Sequence, residues 1–166
     1  WGGHFKNTTK QYGPFVLGGG GGRDTLEILS GSGVTNSLFL GRAANSVSAL
    51  YHRGGSFGIE KNYQGTCAIG EYGTGYLETS GGNASVNLDC QLGYKPGSTG
   101  LHYMSGGAFE IVKAPYNIGQ SGNAVYYQTG GALTSSSTSS KFYVGSCDWD
   151  TECAKASAQG LKHVFT

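Results

Sequence analysis

Gly2-Gly3-His4-Phe5, Gly54-Gly55-Ser56-Phe57 and Gly106-Gly107-Ala108-Phe109 are one phrase written three times, each 52 residues from the last. Other anchors keep the same step. Leu17-Gly18 is followed 52 residues later by Ile69-Gly70, and Leu40-Gly41, Leu92-Gly93 and Val144-Gly145 are spaced alike. A fixed period of this size means one supersecondary unit used several times. A single active site needs different residues converging once, whereas a repeated unit builds a surface or a scaffold.

Three copies fill the chain as one domain over residues 1–166, with repeats at 2–53, 54–105 and 106–166. The third is the most altered. Its Ile118-Gly119 comes three residues early, and it carries the run Ser135 to Ser140 and a cysteine-bounded loop. Gly160-Leu161-Lys162-His163-Val164 still echoes Gly100-Leu101-His102-Tyr103-Met104. An ending so close to a repeat boundary suits a closed pseudo-threefold domain whose termini meet. It equally suits a linear array.

Between the anchors the chain reads as short strands and turns. Thr25 to Leu29, Asn36 to Leu40, Ser85 to Asp89, Ala108 to Val112, Ala124 to Gln128 and Lys141 to Val144 alternate or run apolar, with Gly, Ser or Asn around them. The expected fold is therefore all-β. Each copy has two aliphatic-Gly marks, so six hairpin-like units in a β-trefoil are one solution. A β-solenoid or fibre-like stack is the other, with a glycine at every corner. One short helix is expected over 150–159, where an Ala-rich stretch stops at Gly160. The anchors also predict that Phe5, Phe57 and Phe109, with Leu40, Leu92 and Val144, occupy equivalent core positions.

Composition narrows the function. Glycine is 31 of 166 residues without a collagen triplet, which excludes a triple helix. Charged residues are 13% and the net charge is +1, with no basic stripe, so nucleic acid is not an expected partner. No apolar run reaches the roughly 18 residues of a membrane helix, and no signal-peptide pattern is expected within these residues. Eleven Tyr, seven Phe and two Trp argue against simple disorder.

Four cysteines allow two disulfides in three pairings. The local pairing, Cys67 with Cys90 and Cys147 with Cys153, is favoured over four buried reduced thiols. Sequons at Asn7 and Asn83 are candidate glycosylation sites. Disulfides and glycans together would place the chain outside the cytosol.

Two constellations are candidate ligand sites. In Cys147-Asp148-Trp149-Asp150-Thr151-Glu152-Cys153, Trp149 offers a flat face to a sugar ring and Asp148 and Asp150 offer acceptors. A calcium reading of the same loop has too few oxygens, so no metal and no cofactor is expected. The second constellation pairs Tyr51 with His52 and His102 with Tyr103 at similar places in the first two copies, suiting glycan stacking and hydrogen bonding. The alternative is that these are ordinary strand residues. No catalytic signature stands out. There is no G-x-S-x-G, Glu60 and Glu110 follow the repeat, and Gly18 to Gly22 lacks the Lys-Ser/Thr of a phosphate-binding loop.

Ser37-Leu-Phe-Leu-Gly-Arg42 and Leu50-Tyr-His-Arg-Gly-Gly-Ser-Phe-Gly-Ile59 resemble the Gly-rich, short-stranded repeats of phage tail-fibre and other viral or cell-surface adhesin proteins. The resemblance covers about the first two-thirds of the chain. It implies a trimeric or filamentous exterior protein that contacts a receptor. The expected function is a non-enzymatic extracellular or virion-surface structural or adhesion protein that self-assembles or joins a larger particle. A monomeric trefoil-like lectin is the alternative. A secreted hydrolase using the acidic loop is the distant one.

Overall fold

A computed structural model describes residues 2–6, 14–60, 66–87, 89–136, 142–145 and 163–165. The chain winds as a β-solenoid of about five turns. Three strand positions recur in each turn. The first is a six-stranded sheet of β2 (Phe15–Leu17), β5 (Leu38–Leu40), β8 (Cys67–Ile69), β11 (Cys90–Leu92), β13 (Tyr116–Ile118) and β15 (Phe142–Val144). We call it face A.

The other two positions belong to one ten-stranded sheet that bends along its length. Face B holds β3 (Arg23–Ile28), β6 (Val47–His52), β9 (Thr74–Thr79), the first halves of β12 (Thr99–Ile111) and β14 (Asn123–Ser135), and β16 (His163–Phe165). Face C holds β1 (Gly2–Lys6), β4 (Ser30–Thr35), β7 (Ser56–Ile59), β10 (Asn83–Val86) and the second halves of β12 and β14.

Every ladder among the described residues is parallel. Hairpins need antiparallel neighbours, so the aliphatic-Gly marks are corners and not hairpin units. The first strand pairs only with β4 and the last only with β14, at opposite ends of the stack. The first and last described strands do not pair as a closed trefoil would require.

The marks work as corners because each glycine ends a face A strand in the left-handed region. Gly18, Gly41, Gly70, Gly93, Gly119 and Gly145 have φ between 61° and 76°. At Gly70 a Cβ would also press into the backbone of Thr99 in the next turn. The Gly-Gly phrase makes the second bend, from face B to face C. Gly55 and Gly107 sit there with φ of 75° and 70°, so only glycine turns the chain there without strain.

The 52-residue step spans two turns, not one. The register on face C aligns Phe5, Gly33, Phe57, Ala84, Phe109 and Leu133 in a single ladder, in which Phe57, Ala84 and Phe109 are buried. Among the described side chains, the buried rings of Phe57 and Phe109 are separated by the small Ala84. Face A answers with the ladder Leu17, Leu40, Ile69, Leu92, Ile118 and Val144. Phe57, Phe109, Leu40 and Leu92 are buried, as their shared phase predicts. Val144 holds the same register but is 49% exposed, since β15 is the outermost strand of its sheet. The helix expected over 150–159 lies outside the described residues.

If ring and gap are matched, both directions of change destabilise. Phe57→Ala should cost about 3–5 kcal/mol, and Ala84→Phe about 1–3 kcal/mol through overpacking. Urea unfolding of the two variants checks this, and a neutral result for both would remove the ladder from the core.

Candidate functional site

Strand alternation decides which side chains of face B reach solvent. Residues two apart share a side, so Tyr51 in β6 and Tyr103 in β12 point outward while their neighbours His52 and His102 point in. The outward register runs Glu27, Tyr51, Glu78, Tyr103, Tyr127. Beside it runs Thr25, Ala49, Tyr76, Leu101, Val125. The two rows give face B an aromatic and aliphatic strip across successive turns.

The rings of the strip are in contact. Tyr103 and Tyr127 stack with centroids 5.6 Å apart and planes 14° from parallel. Tyr51 and Tyr76 meet edge to face at 5.7 Å. Tyr76, Leu101, Tyr103, Val125 and Tyr127 line a shallow trough along this surface. Tyr127 is 47% exposed and the other three tyrosines of the strip are half-buried.

Charges frame the strip at its Glu27 end. Arg53 pairs with Glu27 at 2.5 Å and lies 3.7 Å from Glu78. Its guanidinium also sits 5.2 Å from the centre of the Tyr51 ring, a cation–π arrangement. The Tyr76 hydroxyl donates to Glu78 at 3.1 Å. Burial, with that bond to Glu78, pushes the Tyr76 phenol up to about 12, so it stays protonated and keeps donating. The arrangement offers flat ring faces, carboxylate acceptors and one guanidinium.

The inward histidines belong to the core. His52 and His102 are each 1% exposed, which corrects their reading as glycan contacts. They are not equivalent to each other either. His102 aligns with Leu50 and Leu77, whereas His52 aligns with Thr79 and Met104. The His102 Nδ1 lies 2.6 Å from the Tyr116 hydroxyl, and its Nε2 lies 3.2 Å from Thr79 Oγ1. A neutral imidazole has one donor and one acceptor nitrogen, so it satisfies both hydroxyls at once. Burial lowers the His102 pKa to about 3 and holds the imidazole neutral. Burial also lowers that of His52, against an opposing pull from the Gly55 and Gly54 backbone.

Cys67 and Cys90 are buried and stacked in register with their sulfurs 3.2 Å apart. That contact is well beyond a bond of about 2.0 Å, so the expected disulfide appears here as two thiols. Asn83 is exposed at the start of β10, an accessible place for a sequon. Asn7, Cys147, Asp148, Trp149, Asp150 and Cys153 lie outside the described residues.

Face C carries small outward side chains and a shallow groove lined by Ser56, Asn83, Ser85, Glu60 and Glu110. Glu110 aligns with Ser85 and Gly58, whereas Glu60 lies beyond the end of β7. The two glutamates therefore do not repeat one position. No group of three or more His, Cys, Asp or Glu suited to a metal occurs among the described residues. No described helix is long and apolar enough to cross a membrane.

Missing from the sequence reading were Tyr76 and Tyr127. Both belong to β strands with clear alternation, and their parity with Tyr51 and Tyr103 becomes visible only once the turn length is about 26 residues. Fold and site together define a parallel β-solenoid with an aromatic outer strip. No protein-family model, curated protein or solved structure matches the chain.

The buried histidines set a pH dependence. In the unfolded chain they titrate near 6.5, while the folded pKa is lowered to about 3 for His102. The unfolded state therefore binds more protons between those values. Their contribution is intact above about pH 6.5 and is lost as pH falls toward 3. For His102, acidification from pH 7.5 to 4.5 should cost about 2–3 kcal/mol. Urea midpoints at the two pH values check this. A His102→Gln variant should show a weaker acid dependence than the parent; an unchanged slope would refute the assignment.

Proposed function

We propose that this is a non-enzymatic structural or adhesion protein of a cell or virion surface, using face B to contact a glycan or receptor. The observation that carries the reading is the run of Tyr51, Tyr76, Tyr103 and Tyr127 on successive turns. Ring pairs across strands add to the stability of the sheet, and here they also present a continuous aromatic surface to solvent. Aromatic rings with a polar tip are the side chains that bind well at a wet interface. The repeat supports an extended partner, because equivalent groups recur along the solenoid axis and not around one point.

A carbohydrate chain fits the chemistry. Its ring faces stack on Tyr103 and Tyr127, and its hydroxyls donate to Glu78 and Glu27. Attachment to a larger particle or self-assembly would multiply such contacts, since linked weak sites bind with an avidity well above each alone. A monomeric lectin uses the same surface without assembly. Size in solution separates the two: a species of one chain mass that binds polysaccharide supports the lectin, and large oligomers support the scaffold.

Binding to a panel of immobilised polysaccharides tests the site. Tyr103→Ala with Tyr127→Ala should weaken retention by roughly tenfold, from about 1–2 kcal/mol of lost stacking, with the thermal midpoint little changed. Full retention by a folded double variant would remove face B from the function.

A further inference from the structure

Cys67 and Cys90 occupy the middle of an inward ladder on face A that runs Phe15, Leu38, Cys67, Cys90, Tyr116 and Phe142. Every other member is aliphatic or aromatic. The two cysteines belong to successive turns, both are 0% exposed, and the thiol of Cys90 points at the sulfur of Cys67. Parallel neighbours in register have Cα atoms about 4.8 Å apart. That falls inside the window of about 4.4–6.8 Å in which a disulfide closes without moving the backbone. Two thiols placed this way are pre-aligned for bonding.

We propose that Cys67 and Cys90 are a covalent staple between successive turns, closed by a small-molecule disulfide such as oxidised glutathione while the turns are still assembling. The inference rests on the fold and is independent of the function of face B. One cysteine thiolate attacks the small disulfide, forming a mixed disulfide and releasing one small thiol. The second cysteine thiolate then attacks the protein-side sulfur, forming the Cys67–Cys90 bond and releasing the second small thiol. The two cysteine protons end on the two released thiols, and the oxidant takes up the two electrons.

Timing follows from burial. The thiolate is the attacking species, and in the closed core burial and the neighbouring Cys67 push the Cys90 thiol well up. Neither reagent nor solvent reaches sulfurs that are 0% exposed. Bonding therefore belongs to folding or to local opening, and the closed bond is then protected from reductants.

The test uses the full chain with Cys147→Ser and Cys153→Ser, leaving the pair alone. Refolding from urea with oxidised and reduced glutathione should give a product two hydrogens lighter than the reduced protein. Digestion at glutamate should yield one cross-linked species containing Cys67 and Cys90. Its urea midpoint should exceed that of the reduced form and fall back after dithiothreitol is added to the unfolded chain. The same glutathione mixture added to the native reduced protein should react far more slowly. A refolded product that keeps two free thiols, or carries only glutathione adducts, overturns the proposal. So does an oxidised form with a lower midpoint than the reduced one. Cys90→Ala provides the control: it should show no redox-dependent shift, and a shift that survives in it also overturns the proposal.

Discussion

The spacing of stacked parallel strands governs this protein. Each turn lies about 4.8 Å above the last, and residues in register must share that space. On face C, where Phe57 and Phe109 are buried, a small residue separates the two rings. The stack there runs Phe57, Ala84, Phe109. Leu40, Ile69 and Leu92 fit the spacing without alternation and recur in consecutive turns. The same constraint fixes the corners, because a chain reversing within that height brings backbone against backbone. Gly70 against Thr99 and Gly55 against Gly31 are such approaches.

This stacking explains what the sequence made legible and what it hid. The 52-residue echo is strongest at phenylalanine, which occupies alternate turns of face C at Phe5, Phe57 and Phe109. Gly33 and Ala84 fill the intervening turns and break the phrase, so the period reads double. A shorter period was written in the bends. Gly81-Gly82 and Gly130-Gly131 interleave with Gly54-Gly55 and Gly106-Gly107, and all four open strands or segments of face C. Loop length blurred this signal. Successive face A corners fall 23, 29, 23, 26 and 26 residues apart, because the register holds the strands while the connections vary. Ile118-Gly119, three residues early in sequence, is in register with Leu92-Gly93 at Ile118.

Tyrosine and histidine show the same limit for the site. Tyr51-His52 and His102-Tyr103 look alike as pairs, yet their order is reversed. In a strand, reversal keeps both tyrosines outside only if the histidines fall on different sides of them. His52 lies one place after the shared tyrosine register and His102 one place before it. Parity alone predicts that both histidines are inside. It does not reveal that each turn must be aligned with its neighbours before Tyr76 and Tyr127 join the strip. The outer surface of a solenoid is written across turns, so a site on it has no local motif.

The polar groups of the core follow from the same stacking. On face B the inward ladder runs Leu26, Leu50 and Leu77, then changes to His102 and Tyr126. On face A the opposite ladder changes from Leu38 through Cys67 and Cys90 to Tyr116. A buried imidazole costs less when its nitrogens have partners, and His102 finds them in Tyr116 and Thr79 from different strands. Tyr116 in turn touches His102, Phe109, Tyr126 and Phe142 with its ring. The hydrogen bonds of His102 to Tyr116 and Thr79 tie a face A strand to two neighbouring turns of face B at one point in the core. Strand alternation then places Tyr103, the next residue, on the outer strip.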